Sequence, residues 1–157
     1  MKITNGIQLK GHYSYKVFDS KTGELKRQSG KIDNLIVLNA TNGLYVVLDR
    51  LLGNTENDIV ITSASIGTSS QAVSIGDEGL IEPVLENIPI ALKSRISDGE
   101  ISLTIFINDS ELPNDTYNEF GVKVGNKLWA RSIITPSFTK STGEDIQIKY
   151  NFTGATT

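Results

Sequence analysis

Apolar residues that recur at every second position constrain this chain more than any other feature. Ile146, Ile148, Tyr150 and Phe152 alternate with polar neighbours, as do Ile101, Leu103, Ile105 and Ile107, and Tyr13, Tyr15 and Val17 near the start. Successive side chains of a strand point to opposite faces, so a period of two describes half-buried strands and rules out helix for these stretches. Turn chemistry separates them. Asp19-Ser20-Lys21-Thr22-Gly23-Glu24 supplies an Asx starter and a glycine able to take positive φ, which predicts a hairpin loop returning through Leu25 to Ile32. Ser97-Asp98-Gly99-Glu100 predicts a second hairpin, joining the 101–107 strand to one in which Ile88, Ile90 and Leu92 alternate. Pro89 lacks an amide donor and sets that strand at an edge or beside a bulge. Gly125-Asn126 divides the 121–123 and 127–134 segments, and Ile59-Val60-Ile61-Thr62 reads as a short β-branched strand.

The period changes once. Over 41–52, Leu44, Val47, Leu48 and Leu51 fall on one helical face, with Thr41 or Asn39 as N-cap and Gly53-Asn54 as a left-handed exit. Burying those four side chains would contribute roughly 6–12 kcal/mol before ordering entropy, enough to fasten the helix to a sheet. Residues 69–79 are rich in small side chains and read as an extended, mobile surface segment. Six to eight strands and one helix without a βαβ rhythm predict a mainly β fold, an antiparallel β-sandwich with one α-helix packed on it, as a single domain over 1–157.

Composition narrows the function classes. Lys and Arg number 15 against 18 Asp and Glu, for a net charge of −3, and no basic block concentrates the positive charge that phosphate backbones need. Nucleic acid is therefore not an expected partner. The absence of cysteine excludes disulfides, thiolate metal sites and cysteine nucleophiles. No apolar run resembles a leader or approaches the ~18 residues of a membrane span, so synthesis in the cytoplasm without a membrane anchor is expected.

Catalytic raw material is sparse. The single histidine, His12, lies on the strand face opposite Tyr13 and Tyr15 and reads as structural. Asn108-Asp109-Ser110-Glu111 and Asn114-Asp115 offer oxygen ligands or a carboxylate pair, but without the glycine and terminal glutamate of a calcium loop they read first as a solvated loop. Gly67, Gly76 and Gly79 open no helix and read as turn or bulge residues. Tyr117, Phe120, Trp129 and Phe138 fit a core better than a sugar-stacking surface, although Tyr117 and Trp129 are the candidate contact aromatics. Glu119 and Arg131 are a candidate structural ion pair. A three-residue loop at Gly125 would set them opposite each other, and a two-residue loop would send them to opposite faces. No enzyme activity, cofactor or metal is expected.

The order of elements resembles small structural proteins of tailed bacteriophages, found in tail fibres, baseplates and necks. The pieces that carry the likeness span 11–152. They are the Asp19–Glu24 turn, Asp33-Asn34-Leu35-Ile36 before the helix, Ile66-Gly67-Thr68, Asp77-Glu78-Gly79-Leu80, Asn118-Glu119-Phe120-Gly121-Val122 and Leu128-Trp129-Ala130-Arg131. Leu85-Glu86-Asn87 departs from it, standing where such proteins would have an arginine. The resemblance implies a virion adaptor or attachment module, a homo-oligomer in contact with other virion proteins and without catalysis or cofactor. The alternative is a carbohydrate- or receptor-binding β-sandwich module.

Overall fold

The computed structural model describes residues 6–39 and 41–156. Its elements in chain order are β1 (Ile7–Asp19), β2 (Leu25–Gln28), β3 (Ile32–Ile36), α1 (Leu44–Leu51), β4 (Ile61–Gly67), β5 (Pro83–Ser97), β6 (Glu100–Ile107), β7 (Thr116–Val124), β8 (Lys127–Thr139) and β9 (Glu144–Thr156). The mainly β character agrees with the period-two reading. The sandwich does not form. Pairing runs β1-β3-β8-β7-β4-β5-β6-β9 and returns from β9 to β1, so the sheet closes into an eight-stranded antiparallel barrel. Alternation cannot separate the two architectures, because in both each strand turns one face inward. What decides is the last strand. β9 pairs with β6 on one side and with the whole of β1 on the other, from Ile7 opposite Thr156 to Asp19 opposite Glu144. The far edge of β1 is shared, β2 taking its second half and β3 its first. The seam between β3 and β8 is only two pairs long, Leu35 with Arg131 and Ile36 with Ala130.

Inward side chains fill the barrel. Tyr13, Tyr15 and Val17 are buried as their alternation predicts, with Leu103, Ile105 and Ile107 of β6 and Ile146, Ile148 and Tyr150 of β9. Three tilted ring contacts bridge strands, Tyr13 with Phe120 at 4.7 Å, Tyr15 with Phe138 at 4.9 Å and Tyr117 with Phe138 at 5.5 Å between centroids. The Asp19 turn forms as expected, Asp19 Oδ1 accepting from the Lys21 and Thr22 amides while Gly23 takes a φ of 72°.

Two local expectations are corrected. Helix α1 is shorter than 41–52, and Gly43, not Thr41 or Asn39, precedes its first turn without a side-chain cap. Of its predicted buried face, Leu44 and Val47 are half-buried, Leu48 is 48% exposed and Leu51 is 77% exposed, whereas Val46 is buried. An eight-residue helix rests on the barrel through one row of side chains, and the rest of its apolar stripe faces outward. The 69–79 segment, expected to be mobile, is tied down by buried side chains described below.

Ion pairing fastens β2. Glu144, at the start of β9, receives Arg27 Nη1 at 2.9 Å and Nη2 at 2.8 Å, Lys26 Nζ at 3.0 Å and the Ser141 amide at 3.1 Å. The Arg27 hydrogen bonds, with those from Ser141 and Lys26, hold its carboxyl down to about 2. A depressed carboxylate contributes stability in full above its unfolded value and loses it as pH falls toward the folded one. On acidification from about pH 5 to pH 2, wild type is expected to lose on the order of 1–3 kcal/mol through this group, discounted for its part-exposed partners. Urea titrations at several pH values check this, and Glu144→Gln should flatten that part of the profile.

Candidate binding site at the barrel mouth

The ion pair drawn from sequence forms, by a route the loop length alone does not give. The β7–β8 turn holds two residues, Gly125 and Asn126, which in a regular hairpin would send Glu119 and Arg131 to opposite faces. A bulge at Trp129 shifts the register, since Lys123 pairs with Leu128 but Val122 pairs with Ala130. From there on Gly121 faces Arg131 and Glu119 faces Ile133, which sets the two charged residues diagonally on one face. The backbone groups that the bulge frees are taken by the preceding segment. The Leu128 amide donates to Asn42 Oδ1 at 2.9 Å, its carbonyl accepts from the Gly43 amide at 2.7 Å, and the Trp129 carbonyl accepts from the Val37 amide at 3.1 Å.

On the outer face Arg131 and Glu119 are both fully buried beneath the 68–82 segment. Arg131 Nε donates to Glu119 Oε2 at 2.9 Å, Nη1 to Asp77 Oδ2 at 3.0 Å and Nη2 to the Gln71 carbonyl at 2.9 Å. Glu119 accepts in turn from the amides of Ile81 at 3.0 Å and Glu82 at 2.7 Å. One guanidinium serves two carboxylates, and every one of these bonds except that between Arg131 and Glu119 crosses between barrel and segment. Gly67 permits the approach, because a Cβ there would overlap the Glu82 carbonyl and lie 2.6 Å from Glu119 Oε1. This constellation is a clasp with no access from solvent.

The acidic stretch closes on an internal cation. Lys140, nearly buried, sends Nζ to Asp109 Oδ1 at 2.7 Å, Asn114 Oδ1 at 3.2 Å and the Ser141 carbonyl at 3.4 Å. The Lys140 bond, with backbone donors from Gly143 and Glu144, holds the Asp109 carboxyl below its ordinary range. Among the described residues no group of three His, Cys, Asp or Glu side chains is placed to hold a metal. His12 stands on β1 away from these groups, its imidazole held below the ordinary value by burial and then by Lys31.

Tyr117 and Trp129, the candidate contact aromatics, are core residues. Tyr117 is fully buried, with its hydroxyl donating to the Pro113 carbonyl at 2.6 Å, and Trp129 is 4% exposed, edge-on to Phe152 at 5.5 Å. Tyr117 presents no ring face to a sugar, and the little of Trp129 that is exposed lines a cavity at the barrel mouth.

Sequence reasoning missed the barrel mouth. A half-open cavity of about 570 Å³ lies at one end, in the size range of small-molecule sites. Leu9 of β1, Ile61 of β4, Ile101 and Leu103 of β6, Val124 of β7, Trp129 of β8 and Phe152 of β9 form its wall, and Val47, Ile59 and Val60 form one lip. The remaining lining residues, Lys93, Ser94 and Arg95, belong to β5. A register shift puts them there. Ile90 pairs with Ile105, but Leu92 pairs with Thr104, so Ala91 is the extra residue. Beyond it Lys93 faces Leu103 and Arg95 faces Ile101, on the inward side, while Leu92 and Ile96 turn outward at 59% and 55% exposure. Pro89 thus marks a bulge and no edge, since β5 is paired on both sides. Comparison with protein-family models, with curated proteins and with solved structures finds no match to this chain.

Proposed function

We propose that this protein is an assembly module that works by contact with other protein surfaces, including further copies of itself, and carries out no chemistry. The observation that carries this reading is the uncovered apolar stripe of α1. Leu48, Leu51 and Leu52 are 48%, 77% and 83% exposed. Contiguous apolar surface in contact with water marks an interaction site, and an uncharged stripe is self-complementary across a two-fold axis. The resemblance to tail-fibre, baseplate and neck proteins of tailed bacteriophages supplies the setting, a virion component that packs against its neighbours. The carbohydrate-binding alternative loses the aromatic faces on which it rested, since Tyr117 and Trp129 are buried.

The test is the mass in solution by light scattering over a tenfold range of concentration, for wild type and for Leu51→Glu/Leu52→Glu. A discrete oligomer that the double variant converts to monomer is expected. A wild-type protein that stays monomeric throughout and binds no other virion protein would overturn the reading. Both leucines are exposed, so the substitutions should change stability by less than about 0.5 kcal/mol.

A further inference from the structure

We propose that the barrel mouth binds a small anionic amphiphile, a linear hydrocarbon chain ending in a carboxylate, with the chain inside the apolar wall and the carboxylate between Lys93 and Arg95. This site is separate from the α1 stripe, whose Leu48, Leu51 and Leu52 do not line the cavity.

The bulge at Ala91 is the basis. A regular β5 would continue the inward row Ile88, Ile90 with Leu92, Ser94 and Ile96, which closes the wall with apolar side chains and leaves the charges in water. The observed strand does the reverse, exposing Leu92 and Ile96 and directing two cations to an apolar mouth. Exposing Leu92 and Ile96 runs against burial energetics, while Lys93 and Arg95 stay solvent-accessible at the mouth, and such a local conflict is expected where a ligand compensates for it.

The charge balance at the mouth is unmatched. Among the described residues, no carboxylate lines the cavity, and neither Lys93 nor Arg95 forms an ion pair. Arg95 Nη1 donates only to backbone carbonyls, Ser97 at 3.4 Å and Asp98 at 3.2 Å, which leaves the rest of its guanidinium free for a carboxylate. Asp98 and Glu100 stand beside Arg95 at the hairpin tip without reaching ion-pair distance, and Glu100 accepts instead from Asn151 at 2.7 Å. A neutral hydrocarbon would use the wall and ignore the cations. A compact inorganic anion would use the cations and leave the wall wet. A chain with an anionic end satisfies both, and 570 Å³ is room for a chain and not for a folded partner.

The chain contains one tryptophan, Trp129, which is part of the cavity wall, so its fluorescence reports occupancy directly. Laurate, dodecanol and dodecyltrimethylammonium, each below its micellar concentration, are titrated into wild type and into Lys93→Glu/Arg95→Glu, with stoichiometry from calorimetry. Laurate should shift Trp129 emission and saturate at one equivalent, binding about tenfold or more tighter than dodecyltrimethylammonium. The double variant should lose this preference or reverse it while keeping the wild-type circular dichroism and the wild-type mass. No emission change and no heat with laurate would overturn the proposal, as would equal binding of all three chains or undiminished laurate binding by the variant. Because Lys93 and Arg95 lie off the α1 stripe, these results are independent of the oligomeric state that tests the assembly reading.

Discussion

Arg131→Ala is expected to lower stability by about 3–5 kcal/mol, because it strips the only cation from a buried pair of carboxylates. With Arg131 gone, Glu119, fully buried, and Asp77, nearly so, would each hold a negative charge without its counterion, and the Gln71 carbonyl would lose its donor. The loss is a large share of the 5–15 kcal/mol by which domains are commonly stable, equivalent to a fall in Tm of roughly 6–20 °C at this size. Arg131→Lys should recover little, since one ammonium cannot reproduce a fork that reaches Glu119, Asp77 and Gln71 together. Urea denaturation measures the loss, and limited proteolysis locates it, with new cleavage expected between residues 68 and 82. An unchanged midpoint in Arg131→Ala would show that the clasp contributes nothing net.

The second large effect is expected at Gly11. Its backbone lies in β1 between Asn34 of β3 and Phe152 of β9, and a Cβ there would overlap the Tyr150 hydroxyl and Asn34 Oδ1. Those groups cannot retreat easily. Tyr150 is fully buried and its hydroxyl stands beside the polar ends of Asn34 and Trp129, burial pushing it up to about 12 against the opposing pull of those two groups. Gly11→Ala should therefore cost about 1–3 kcal/mol by overpacking and more if the β1–β3 pairing shifts. Adding Tyr150→Phe removes one of the overlapping atoms and should return part of the loss, which a double-mutant cycle by urea denaturation would read as coupling. Equal stability of Gly11→Ala and wild type would mean that the aromatic layer is looser than its geometry implies.

The parts of this fold that were legible in the sequence are those set by neighbours along the chain. The Asp19 turn, the Asp98-Gly99 hairpin and the inward row Tyr13, Tyr15, Val17 follow from local φ preferences and a period of two. Closure does not, since it depends on β1 finding β9 across nearly the whole chain, and no local pattern encodes that pairing. The two bulges were equally hidden. At Trp129 and Ala91 a single extra residue reverses which side chains face inward, and in each case the affected residues are those that matter. The first bulge brings Glu119 and Arg131 together, and the second turns Lys93 and Arg95 to the mouth. The apolar face of α1 was visible as a pattern, but a pattern shows that a stripe exists and not that anything covers it.

The pairing of β1 with β9 also sets an order of events. Ile7 must meet Thr156 and Asp19 must meet Glu144, so during synthesis β1 has to wait for β9 before its long edge is satisfied. Until then it exposes a template for any other strand, and the entropy of closing so long a loop is met before the ladder returns it. Folding dominated by such distant partners falls at the slow end for domains of comparable size. A protein built this way depends for its yield on how well that waiting edge is kept from its neighbours.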